Sequence, residues 1–216
     1  MKNINFWTVG RALLLVVSAW VLVGTAAAQN TGTFTDSRDG KKYKTADIKG
    51  LKWMAENLNY KSKKGTSWCF GEEEAYCKKY GRLYDWDAAV SACPNGWKLP
   101  DTADWRELVM AVGWGIAYGK LKSARGWNKN GNGWDEFGFS ALPGGARVPG
   151  DRFEPDGYFI DDGANGYWWT ASKGDGYSAY SWDISYDSEG EKNDKESWTK
   201  PSPKDWGWVC PKICVN

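Results

Sequence analysis

Tryptophan is the residue this chain must find room for. Sixteen indoles and 26 glycines share 216 residues, and 16% of the chain is aromatic. Large rings separated by glycine-rich stretches point to a loop-rich, aromatic-filled domain rather than a regular bundle or sheet enzyme. The length suits one globular domain of ordinary size. Lys+Arg 28 against Asp+Glu 27 leaves no basic stripe, so nucleic acid is not an expected partner. High aromatic content and near-zero net charge exclude the disordered class. Histidine is absent. That removes His-based triads, imidazole general bases and histidine metal sites together.

The start of the chain reads as an address. Lys2 and Arg11 precede an apolar run from Ala12 to Val23, and Ala26-Ala27-Ala28 follow as small residues. This is the layout of a secretory signal peptide spanning residues 1–28, with a single domain over 29–216. An uncleaved anchor is the alternative, but the run is short against the ~20 residues of a bilayer crossing. Cleavage leaves no membrane segment and places the domain in the periplasm, on the cell surface or outside the cell. Trp7 and Trp20 leave with the leader, so fourteen tryptophans remain. All five cysteines (Cys69, Cys77, Cys93, Cys210, Cys214) lie in the exported part, where disulfides persist. An odd number permits at most two bridges, and without a C-x-x-C pair the default role is structural.

Asp39-Gly40 signals a two-residue hairpin turn between strands at 33–35 and 42–45. Lys49-Gly50 turns the chain into a third strand at 51–55. Residues 61–71 read as a loop held by Cys69. Two helices follow. Asp85 caps the first, and Trp86, Ala89, Val90 and Cys93 fall on one face. Asp101 caps the second, which buries Trp105, Leu108, Val109 and Val112 and ends at Gly113. Beyond Gly113, bursts such as 137–139, 167–170 and 179–182 read as short strands between long turns. The plan is α+β.

Several blocks now fall in a familiar order. They are Trp53-Met54-Ala55-Glu56-Asn57-Leu58, Tyr80-Gly81-Arg82-Leu83-Tyr84, Cys93-Pro94-Asn95-Gly96-Trp97-Lys98-Leu99-Pro100, Phe137-Gly138-Phe139-Ser140-Ala141-Leu142-Pro143 and Trp168-Trp169-Thr170-Ala171-Ser172. Over about residues 33–210 the chain resembles the Fibrobacter succinogenes major paralogous domain family. That family is similar in turn to the C-type-lectin-like and formylglycine-generating-enzyme-like folds, so the resemblance implies a C-type-lectin-like fold with two helices, short antiparallel strands and long loops. It also implies that Cys69 pairs locally with Cys77 and that Cys93 closes on Cys210. Cys214 is an extra relative to the family pattern and leaves Cys93–Cys214 open. No established activity comes with the resemblance.

Three chemistries are worth weighing. The acids Glu154, Asp161, Asp162 and Asp183 could supply a glycosidase pair, but they lie in glycine- and asparagine-rich stretches where solvated acids are usual. No catalytic role is therefore assigned. Glu154-Pro155-Asp156 is similar to the calcium-binding tripeptides of sugar-binding lectins, so Glu154 and Asp156 are the metal candidates, with a solvated turn as the alternative. Tryptophan couples a large apolar face to a polar handle and suits the face of a sugar ring. Trp168 and Trp169 point to opposite sides of a strand, and the resemblance makes Trp169 the internal one. Trp168, Trp182, Trp198 and Trp206 are thus the expected exposed, glycan-binding rings. The expected function is an exported, non-enzymatic module recognising polysaccharide or cell-surface glycan, with no obligatory cofactor. A protein-interaction domain on the cell surface and a divergent enzyme are the alternatives. The sequence sets no oligomeric state.

Overall fold

The computed structural model describes residues 30–176, 178–188, 200–203, 207–209 and 214–216, the side chains of 200–203 and 207–209 excepted. The leader at 1–28 lies outside them, as do Trp198, Trp206 and Cys210. Among the described residues no helix is long and apolar enough to cross a membrane.

In chain order the elements are β1 (Thr31–Thr35), β2 (Lys42–Ile48), β3 (Leu51–Met54), β4 (Ser67–Trp68), α1 (Glu74–Tyr80), β5 (Leu83–Tyr84), α2 (Trp86–Ala92), α3 (Thr102–Val112), α4 (Ala117–Leu121), β6 (Gly144–Val148), β7 (Tyr158–Asp162), β8 (Asn165–Lys173), β9 (Ser178–Ser185), β10 (Lys200–Pro203) and β11 (Gly207–Val209). A three-stranded sheet runs β1-β2-β3. A larger one runs β10-β9-β8-β6-β11-β5-β4, with β7 folded back on β6. This mixture of helices and mainly antiparallel strands is the α+β plan read from the sequence.

The first hairpin forms, but around a longer loop than the dipeptide signal implied. Thr35 pairs with Lys42, so residues 36–41 make the turn. Fully buried Asp36 explains the extra length. Its carboxylate accepts the backbone N–H of Arg38 at 3.0 Å and the Arg38 guanidinium at 2.6 Å. Burial disfavours the charged form of Asp36, and the Arg38 hydrogen bonds outweigh that and hold its pKa below the ordinary value.

The capping signals held. Asp85 accepts from the N–H of Ala88, and Asp101 forms a reciprocal capping box with Asp104 at the head of α3. Trp105, Leu108, Val109 and Val112 are all buried as their spacing predicts. On α2 the face is rotated: Ala88, Ala89 and Ala92 are buried and Val90 is 46% exposed. Helix α1 was not legible, because it has no side-chain cap and buries only Cys77 and Tyr80. Residues 137–139 form a turn rather than a strand, from which Phe139 drops fully buried into the core.

The core is in two parts, and β8 serves both. Trp168 joins Trp53, Trp105, Trp182 and Phe139 in one cluster. Its neighbour Trp169 joins Tyr43, Met54, Tyr84 and Trp86 in the other. Rings in the first cluster touch closely, with centroids 4.3 Å apart for Trp105–Trp182 and 5.1 Å for Trp168–Trp182. Such contacts add about 0.5–1.5 kcal/mol per pair beyond the area they bury.

Two disulfides fix the fold. Cys69–Cys77 is the local bridge expected, with Cα atoms 4.9 Å apart. Cys93, however, pairs with Cys214 and not with Cys210. Strand register explains this correction: β11 places Val209 opposite Leu83, whereas Val215 bridges Lys98, just beyond Cys93. The same Val215 bridges Trp53 of β3, so residues 214–216 stitch the small sheet to the stretch after α2.

Candidate functional site

Two of the four tryptophans expected to face solvent are interior. Trp168 is 1% exposed and Trp182 is 0%, and they sit opposite one another on β8 and β9. The parity argument was sound in giving Trp168 and Trp169 opposite faces. It failed because both faces of β8 are covered, one by each core cluster. Trp198 and Trp206 lie outside the described residues. Glu154 and Asp156 are exposed in the loop joining β6 to β7, where Arg147 reaches the Asp156 carbonyl. They are not gathered with a third acidic or cysteine ligand. Among the described residues the only such trio is Cys69, Glu74 and Cys77, whose two cysteines are bonded to each other. Of the acids weighed as a glycosidase pair, Asp161 and Asp183 both lie near the Tyr167 phenol. Asp161 bonds the Tyr167 hydroxyl at 2.5 Å, while Asp162 accepts hydrogen bonds from Tyr76 and Tyr80. Burial, then the bond to Asp161, raises the pKa of Tyr167, so this phenol stays protonated and serves as a structural donor.

Other indoles do reach solvent. Trp134 is 65% exposed and Trp114 is 42%. Trp134 is not a loose side chain. Its backbone N–H donates to the Gly119 carbonyl at 2.7 Å, and the neighbouring Asp135 and Glu136 backbone N–H groups donate to the Lys122 and Lys120 carbonyls. The ring lies over Gly119, where an added Cβ would come within 3.1 Å of it. Glycine at that position lets the indole approach α4 closely while the residue stays 65% exposed. The sequence signal was available in Gly133-Trp134-Asp135, which places an indole between a glycine and an acid, as Asp205-Trp206-Gly207 does.

Two clefts among the described residues meet at β1. One cleft, of about 560 Å³, is lined by Phe34, Trp97, Asn30, Asn95, Asp47 and Asn216 together with the β1 backbone. Phe34 and Trp97 are half-buried and their rings stand 5.0 Å apart, forming an aromatic corner. A second cleft, of about 480 Å³, is lined by Lys44, Ala55, Asp135, Gly138 and Ser140. Both include Thr31, Gly32, Thr33 and Thr45, so they meet across β1. Gly32 keeps the divide low, since a Cβ there would press on the Thr45 hydroxyl at 3.0 Å. Asp135 accepts from both the N–H and the hydroxyl of Ser140, which fixes the segment that carries Trp134.

The result is a band with an aromatic corner at one end, hydroxyls and amides along its length, and the Trp134 segment at the other. Aromatic faces beside convergent polar groups are what a polyhydroxylated ligand requires. A family model described as Fibrobacter succinogenes major domain matches residues 46–205. No curated protein and no solved structure matches.

Proposed function

The chain belongs to the Fibrobacter succinogenes major domain family, and on that premise we propose that it is an exported, non-enzymatic module that binds a glycan chain along the β1 clefts. The observation that carries this reading is the meeting of two polar clefts at Thr31–Thr33, bounded by Phe34–Trp97 and by the segment bearing exposed Trp134. Sugar rings stack on Trp97 and Trp134 through their apolar faces. Their hydroxyls bond to the asparagines, Asp47 and the β1 threonines. A C-type-lectin-like fold is part of the proposal. Its support is the early helices, the late antiparallel sheet and the Cys93–Cys214 closure between them.

The test is pull-down on cellulose, xylan and peptidoglycan, with tryptophan fluorescence on soluble oligosaccharides. Trp97→Ala and Trp134→Ala should each weaken binding about tenfold or more, the scale of losing one stacked aromatic anchor. Retention of none of these polymers, or variants that bind as tightly as the parent, defeats the reading.

One observation favours a protein partner instead. Met110 (59%), Trp114 (42%) and Ile116 (45%) are exposed around the end of α3. Capture of a cell-surface protein that is lost on Met110→Ser/Ile116→Ser, with no glycan retained, selects that alternative.

A further inference from the structure

A third cleft, of about 240 Å³, opens where the second ends, and its chemistry is different. Lys44 and Ala55 line the second cleft. Their chain neighbours Tyr43 and Glu56 line the third, and the Ala55 N–H donates to the Lys44 carbonyl at 2.7 Å. The two clefts thus lie on neighbouring stretches of the same β2–β3 pair.

The third cleft is basic. Lys41 and Lys42 reach it from β2 and the turn before it, and Lys78 and Lys79 from the last turn of α1. Glu56 is the one acid in the lining, and its carboxylate is engaged by the Lys44 backbone N–H at 2.8 Å. Lys41 is partly spoken for by Asp39 at 3.4 Å, and Lys79 lies 4.4 Å from the centre of the Tyr80 ring. Lys42 and Lys78 have no counterion among the described residues. Tyr43 does not offset this charge, because burial pushes its pKa up to about 12.

The cleft is also held rigid. Cys77, bonded to Cys69, directly precedes Lys78 and fixes the α1 terminus. Gly81 ends that helix at φ 78°, with Asn57 so close that a Cβ would lie 2.5 Å from it. Asn57 donates its amide to the Tyr80 carbonyl, which ties the β3 end to the end of α1. Four ammonium groups on two braced walls suit a ligand that carries carboxylates.

We propose that the Lys41/Lys42–Lys78/Lys79 cleft is the acidic subsite of the binding surface and that the preferred ligand is a uronic-acid-bearing polysaccharide. This rests on the glycan reading above and specifies the ligand class. The charged subsite selects carboxylated chains, and the aromatic band contributes binding that does not depend on charge.

The experiment compares polygalacturonate with neutral xylan on the full exported chain by affinity electrophoresis and calorimetry. Lys42→Gln/Lys78→Gln is the variant, and circular dichroism serves as the fold check. Polygalacturonate should bind more tightly than xylan, lose about tenfold in the variant and weaken steeply between low and physiological salt, while xylan binding is unchanged. If xylan binds and polygalacturonate binds no better, or loses nothing in the variant, the acidic subsite is wrong and the glycan reading stands. Retention of neither polymer removes the acidic subsite, and the glycan reading falls with it only if cellulose and peptidoglycan are not retained either. Tighter binding to single-stranded DNA than to polygalacturonate at equal charge also overturns the subsite as stated.

Discussion

Adjacent tryptophans on β8 differ in one bond. The Trp169 indole N–H donates to the Tyr84 carbonyl at 2.9 Å. Among the described residues the Trp168 indole N–H finds no acceptor, nor do those of Trp53, Trp105 and Trp182. Replacing either with Phe removes similar volume, but only Trp169→Phe leaves a buried carbonyl short of a donor. It should cost about 1–2 kcal/mol more than Trp168→Phe in urea unfolding. Equal costs would show that the hydrogen bond contributes nothing net. Asp36 provides a second test, in pH. Its pKa is held below the ordinary value, so its contribution is complete above the unfolded value of ~3.9 and disappears as pH falls through the lower folded value. Asp36→Asn should flatten the acid limb of a Tm-against-pH curve. An unchanged limb places acid sensitivity elsewhere. At this scale the sequence was informative about which residues are large and apolar and uninformative about which are covered. Parity gave Trp168 and Trp169 opposite faces. It could not reveal that both faces carry a core, since that depends on strands and helices distant in the chain.

Among the elements, α3 was the most legible. Its cap, buried stripe and stop are all local, and local signals survive folding. Asp101→Ala should lower stability by about 1 kcal/mol through loss of the cap, measured by thermal or urea unfolding. A cost near zero would mean that neighbouring packing holds the helix without it. Helix α1 was illegible for the opposite reason. Its stripe is too thin to register, and it is held by Cys69–Cys77 and by contact with Asn57, both made outside the helix. The band of clefts proposed as the binding surface shares this property. Phe34, Trp97 and Asn216 are far apart in sequence and meet only because Val215 bridges Lys98 and Trp53. Trp134 was within reach of sequence reasoning, for an indole between Gly133 and Asp135 has no apolar chain neighbour to bury it.

For the molecule as a whole, the two disulfides are unequal. Cys93–Cys214 spans a sequence separation of 121 and Cys69–Cys77 one of 8. Chain-entropy arithmetic assigns ~5 kcal/mol to the long closure and roughly 2.5 to the short one. Cys93→Ser should therefore lower the unfolding midpoint more than Cys77→Ser, and non-reducing peptide mapping should recover Cys93 linked to Cys214. The α+β plan was legible because it follows from the order of helical and strand patterns. The choice of closing cysteine was not, because it turns on which late residue pairs with Lys98.

The long bridge has one more consequence. The β6–β7 connection projects into solvent, with Phe153 74% exposed at its tip, and it lies inside the covalent ring that Cys93–Cys214 closes. A protease that nicks the backbone there opens the ring without separating the pieces. The severed halves stay joined through sulfur and interleaved in one sheet, where β6 still pairs with β8 and β11. Such a nick is survivable damage.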